Sequence, residues 1–137
     1  MPERSRAVVN AGSPPPTWSR TFQARPDRVP DARRFLAGIL DGFPLASDAL
    51  LCLSELVGNA VLHSNSRRPG GTFTVRASAG HGRLRVEVED QGGPWRPSRG
   101  PDGQGGRGLL VVDQLTTAWG ISGNGTARVV WFEMDRR

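Results

Sequence analysis

At 137 residues the chain is long enough for one domain with a real core. Its 18 basic residues are all arginine against 13 acidic ones, a net charge of +5, and without lysine a phosphate loop of the G-x-x-x-x-G-K-[ST] kind is excluded. A single cysteine, Cys52, excludes a disulfide framework or a cysteine zinc site within one chain.

No apolar run is long enough to span a bilayer, and the N-terminus has no apolar signal core. A soluble, cytoplasmic protein is expected. The arginines are scattered and no aromatic residues interleave with them, so direct nucleic-acid binding is not expected.

Met1 to Pro16 is polar, aperiodic and ends in three prolines, which predicts a disordered or extended tail, with one domain over 17–137. Trp18 to Ala24 alternates apolar and polar, as an edge strand does. Arg25-Pro26-Asp27 breaks it. Val29 to about Asp41 places Ala32, Phe35, Leu36, Ile39 and Leu40 on one side of a helix, which Gly42 and Pro44 end. Pro44 to about His63 reads as the central helix, with Leu50, Leu53, Val57, Ala60 and Val61 on its apolar face and Cys52 beside them as a buried small hydrophobe. Phe73, Val75 and Ala77 mark a strand. Gly80-His81-Gly82 turns the chain with His81 exposed, and Leu84, Val86 and Val88 mark the antiparallel partner.

From Asp90 to Gly108 the glycine and proline content predicts no regular structure, and a loop of that length suggests a lid. Leu109, Leu110, Val112 and Leu115 then form a helix whose N-terminus is the glycine cluster. Trp119 to Ile121 is a short strand and Gly123-Asn124-Gly125 a hairpin turn. Thr126 to Met134 is the last strand, with Val129, Trp131 and Phe132 as core candidates. The order predicts an α+β two-layer sandwich, with helices on one face of a mixed, mostly antiparallel sheet.

Four features carry possible chemistry. Glu55, Asn59 and His63 are four apart on the central helix, so they share a stripe. Such a stripe is either a solvated face or a site that holds a hydrated cation and accepts a proton. Asp90-x-Gly92 stands at a strand end, where an aspartate can accept a hydrogen bond from a planar ligand's amino group and a glycine allows close approach. Gly106-Arg107-Gly108-Leu109 opens a helix, where free N–H groups favour an anion. Gly125-Thr126 leads into the last strand and offers a hydroxyl. An amino-purine, a cation and a phosphate chain together point to Mg-ATP.

Two other motifs fail. Gly103-x-Gly105-x-x-Gly108 matches a dinucleotide fingerprint, but no strand precedes it and position 128 is arginine rather than an acid. Asn124-Gly125-Thr126 matches a glycosylation acceptor, but nothing routes the chain to secretion.

The run Leu53-Ser54-Glu55-Leu56-Val57-Gly58-Asn59-Ala60-Val61-Leu62-His63-Ser64 resembles the N-box of the GHKL ATPases. Val88-Glu89-Asp90-Gln91-Gly92-Gly93 and Gly106-Arg107-Gly108-Leu109-Leu110-Val111-Val112 resemble their two glycine boxes, in order, and Gly125-Thr126 their last conserved strand. The likeness runs from Trp18 to the end and is greatest to the anti-sigma-factor serine kinase branch of the RsbW and SpoIIAB type.

The resemblance implies the Bergerat-type sandwich and the following roles. Asn59 ligates Mg²⁺. Asp90 receives the adenine amino group, and Thr126 closes that side. Gly92, Gly106 and Gly108 allow backbone approach, with Leu109 beside them. Arg107 meets the phosphates, and Glu55 is the general base. His63 touches phosphate or caps the helix. The implied partners are a sigma factor and a STAS-type antagonist whose serine is phosphorylated, with a homodimer possible. The alternative is an ATP-sensing module whose lid orders without phosphoryl transfer. One departure is Gly58, where a threonine or similar residue commonly precedes the asparagine. It either loosens the helix or lets something approach its backbone.

Overall fold

The computed structural model describes residues 15–93, 104–123 and 126–135; of 104–107 it describes the backbone alone. Five strands, β1 (Thr17–Gln23), β2 (Thr72–Gly80), β3 (Arg83–Asp90), β4 (Ala118–Gly123) and β5 (Arg128–Asp135), form one sheet in the order β1-β2-β3-β5-β4. Three helices accompany them: α1 (Val29–Ile39), α2 (Ala46–His63) and α3 (Gln104–Leu115). Every strand pair is antiparallel, so the parallel component allowed by a mixed sheet is absent among the described residues. Of the predicted tail only Pro15 and Pro16 are described, and the Pro16 carbonyl accepts the Ala79 N–H at 3.2 Å.

The core lies between the sheet and the helices. Leu84, Val86 and Val88 of β3 point inward with Phe73, Val75 and Ala77 of β2. They meet Leu53, Leu56, Val57 and Ala60 of α2 and Ala32 and Leu36 of α1. Phe22 ties the edge strand to this core, stacking on Phe73 at 5.3 Å and meeting Phe35 edge-on at 6.1 Å. Each large side chain so buried contributes about 1.5–3 kcal/mol. That packing, more than helix propensity, holds α2 in place. Cys52 is fully buried, and burial, with Asp48 and Glu55 nearby, pushes its thiol up to about 12.

Two expectations are corrected. The glycine cluster does not wait outside a helix that starts at Leu109: α3 begins at Gln104 and takes in Gly105, Gly106 and Gly108. Each glycine costs a helix about 1 kcal/mol. Packing offsets this, since Leu109 and Val112 are buried and α3 lies against α2. The second correction concerns β5. Arg128, Val130, Phe132 and Met134 face inward, while Val129 and Trp131 face outward. Trp131 lies over Gly120 of β4 and under the Arg85 guanidinium, 4.2 Å from the ring centre.

The open face of the sheet absorbs much of the arginine. Arg76 binds Glu87 and Glu89, Arg85 binds Glu87 and Glu133, and Arg83 binds Glu133 and Asp135, at 2.8–3.2 Å. Burial works to raise the Glu87 carboxyl, but hydrogen bonds from Arg76 and Arg85 hold it below its usual range. Most of these pairs are partly buried, and pairs open to solvent are individually worth up to about 1 kcal/mol, so the network sets register and charge balance along with some stability.

Gly58 lies within α2, and a Cβ added there would meet nothing within 4 Å. No contact among the described residues requires the glycine. Gly58→Ala is therefore expected to stabilise the chain by about 1 kcal/mol, a rise of about 3–5 °C in Tm for a domain of this size. Thermal unfolding by circular dichroism checks it, and a fall in Tm would refute it.

Candidate functional site

The site is built from α2 outward. Glu55 is half-buried, Asn59 one turn on is buried, and His63 in the last turn is exposed. The stripe is thus graded rather than uniformly solvated. The Asn59 Nδ2 has no hydrogen-bond partner among the described residues. A buried amide left unsatisfied costs about 1–3 kcal/mol, which favours a ligand there. An amide oxygen suits a hard cation such as Mg²⁺, which takes few protein ligands and fills its shell with phosphate and water. The orphan Nδ2 is a donor and calls for an acceptor such as a phosphate oxygen, and only the Oδ1 of the same amide could meet the cation.

Helix α3 reaches the stripe at Glu55. A Cβ placed on Gly108 would stand 2.6 Å from Glu55 Oε1. A larger residue would displace the carboxylate, which as the end of a flexible side chain can swing aside, so the contact shows how near the two helices lie. Leu109 follows, buried. Gly106 and Arg107 lie in the first turns of α3, and the side chain of Arg107 lies outside the described residues. So does Gly125. Thr126 is exposed and precedes β5 instead of opening it.

At the other end of α2 the chain clasps the end of β3. Ser64 caps a 3-10 turn at Asn65–Arg67, its Oγ accepting from the Ser66 N–H at 3.0 Å and donating to the Ala60 carbonyl at 2.7 Å. The Asn65 N–H donates to the Gly92 carbonyl at 2.8 Å, and the Gln91 N–H donates to Ser66 Oγ at 2.8 Å. The Gln91 side-chain oxygen accepts the Thr72 N–H at 3.0 Å. The first glycine box is thereby fixed to the helix that carries Glu55 and Asn59.

Asp90 sits inside that clasp. Period-2 alternation continues Leu84, Val86 and Val88 to Asp90, so its side chain points to the core face and is buried. Its Oδ1 accepts the Gly92 N–H at 2.7 Å in a tight local turn, with Gly92 at φ +72°, a conformation open to glycine. Its Oδ2 accepts from Arg128 Nη2 at 2.7 Å. Asp90 and Arg128 are direct partners in the β3–β5 register, and both are buried. Burial pushes the Asp90 carboxyl above its usual range, although the Arg128 guanidinium and the Gly92 N–H pull it down.

Three participants escape motif reading: Asn65, Ser66 and Arg128. Asn65 and Ser66 look like loop residues. Arg128 had a signal, since it stands in phase with Val130, Phe132 and Met134, and a charge on a buried face needs a partner.

Elsewhere, a cavity of about 560 Å³ opens at the opposite end of the sheet, by His81, Arg83 and Asp135. His81 is exposed there, at φ +56°. No helix among the described residues is long and apolar enough to cross a membrane.

The family described as "Histidine kinase-like ATPase domain" matches residues 22–133. Several solved structures are similar, two of them as follows. The RsbU and RsbW domains of Rv1364c from Mycobacterium tuberculosis share 20% identity with a TM-score of 0.65, over 88% of this chain and 32% of that one. The histidine kinase domain of the blue-light-activated histidine kinase from Erythrobacter litoralis EL346 shares 24% identity with a TM-score of 0.53, over 80% of this chain and 60% of that one. The chain thus spans under two thirds of either neighbour, and at these identities the likeness is one of fold. No curated protein matches.

Ser66 is fully buried and supplies the acceptor for the Gln91 N–H. Ser66→Ala strands that donor and is expected to cost about 1–3 kcal/mol, with faster hydrogen exchange at Gln91. Urea unfolding and amide exchange measure both, and an unchanged midpoint with unchanged exchange would remove the clasp from the account.

Proposed function

The chain belongs to the histidine kinase-like ATPase family and so is an ATP-binding domain, and from that premise we propose that it is an anti-sigma factor with protein serine kinase activity. The observation that carries the reading is the meeting of Glu55 with Gly108, which sets a carboxylate of the central helix against the glycine-rich start of α3.

On this reading the nucleotide lies along α2. Its base is at Asp90 and its phosphates are toward the start of α3. Glu55 stands eight residues before the end of α2 at His63, about 12 Å of helix, room for a ligand stretched between the two boxes. Asp90 takes the exocyclic amine of adenine. Asn59 holds Mg²⁺, which when bound neutralises phosphate charge. The N–H groups at the start of α3 face the phosphates, with Arg107 as their cationic partner and Gly106 allowing close approach. Thr126 borders the base.

The acceptor is a serine of a STAS-type antagonist. Its Oγ bonds to the γ-phosphorus, the bond from that phosphorus to the β–γ bridging oxygen breaks, and ADP leaves. Glu55 takes the hydroxyl proton. The protein would bind a sigma factor in the cytoplasm and be released by the antagonist. The RsbW domain in the Mycobacterium tuberculosis neighbour supports this regulatory setting.

Incubation with radiolabelled ATP, Mg²⁺ and STAS-domain proteins tests the chemistry. Phosphoserine is expected on the antagonist, and Glu55→Gln should slow its formation by about 10²–10⁴-fold. ATP binding without transfer to any such protein would favour a nucleotide-sensing module. Asp90→Asn is expected to weaken ATP binding by about ten- to a hundredfold, the worth of a hydrogen bond to a charged group. Calorimetric titration reads this, and an undiminished affinity would rule out Asp90 as the base-reading group.

A further inference from the structure

Arg128 is not explained by any of the nucleotide boxes. It occupies an inward position of β5 whose in-phase neighbours Val130, Phe132 and Met134 are all apolar and buried. An apolar residue would suit the packing there, because a buried ion pair is seldom more stable than well-packed hydrophobes. What the position does require is an answer to Asp90. The two residues are directly opposite in the β3–β5 register, and Arg128 Nη2 meets Asp90 Oδ2 at 2.7 Å with both side chains nearly closed to solvent.

The geometry at the carboxylate is specific. Oδ1 is held by the Gly92 N–H from its own strand end, and Oδ2 by Arg128 from the next strand. One bond to each oxygen fixes the carboxylate plane and stops rotation about its terminal torsion. A carboxylate offers about four acceptor sites, so these two bonds leave acceptor capacity on a group whose direction is set.

We infer that Arg128 is a positioning residue for nucleobase recognition: from β5 it orients Asp90 so that the remaining acceptor sites meet the exocyclic amine of adenine. The inference rests on the reading of Asp90 given above. Arg128 acts through Asp90 and also ties the start of β5 to the base site. Its removal therefore costs amine recognition in particular, rather than nucleotide binding in general.

The test compares ATP with purine riboside triphosphate, which lacks the 6-amino group, each titrated with Mg²⁺ into the full chain by calorimetry. The unsubstituted protein is expected to prefer ATP by about tenfold or more, the worth of a hydrogen bond to a charged group. Arg128→Met is expected to lose about tenfold in ATP affinity while the analogue changes by less than about threefold, which erases most of the preference. Arg128→Lys, which keeps a cation opposite Asp90, is expected to restore most of it. If Arg128→Met does not fold, Arg128→Gln takes the same comparison.

Equal losses for both triphosphates would reduce Arg128 to a packing role and overturn the inference. So would an unchanged preference, or a gain in ATP affinity, which would make Arg128 a competitor for the carboxylate. A protein with no preference before substitution would instead overturn the reading of Asp90 itself.

Discussion

A carboxylate at the inner end of a strand constrains everything around it. The alternation that buries Leu84, Val86 and Val88 carries Asp90 onto the same face. A charge taken out of water must be met by hydrogen bonds and an opposite charge, or it will neutralise itself. Here Gly92 supplies one partner and Arg128 the other. Each choice restricts the chain further. The first requires a left-handed residue just past the strand, and the second fixes which residue of β5 lies opposite. Burial still pushes the carboxyl upward, so the pairing offsets the cost without abolishing it.

The same economy governs α2. One side of this helix is spent on the core through Leu53, Leu56 and Val57. What remains joins two distant loops. Its middle accepts α3 at Glu55, whose carboxylate lies close against Gly108. Its C-terminal end passes into the 3-10 turn that grips Gln91 and Gly92. The two glycine boxes are far apart in the chain and do not need to touch each other. Each is placed by its own attachment to one rigid element, as a site of defined geometry requires.

The far side of the sheet follows different physics. Its arginines and carboxylates alternate across β2, β3 and β5 and neutralise one another in the open. A formal charge of +5 thus overstates how much free cation that face presents. The basic composition there speaks of ion-pair register, and the candidate site lies in the other layer and at its ends.

Hydrophobic periodicity alone determined much of this protein. The order of strands and helices, the edge position of β1, the core face of α1 and the course of α2 all follow from it, because period 2 and period 3.6 are local properties of the backbone. The three motif runs were legible for the same reason, being contiguous. What the chain could not state locally, tertiary structure decided. The α3 helix absorbed glycines that propensity would have left in a loop, because burial of Leu109 and Val112 outweighed their cost. Val129 and Trp131 were read as core and lie outside, because a strand of apolar residues on both faces carries no phase until its neighbours assign one. With that phase came Arg128, facing Asp90 from thirty-eight positions away. Register between strands is set by long-range pairing, and no local pattern contains it.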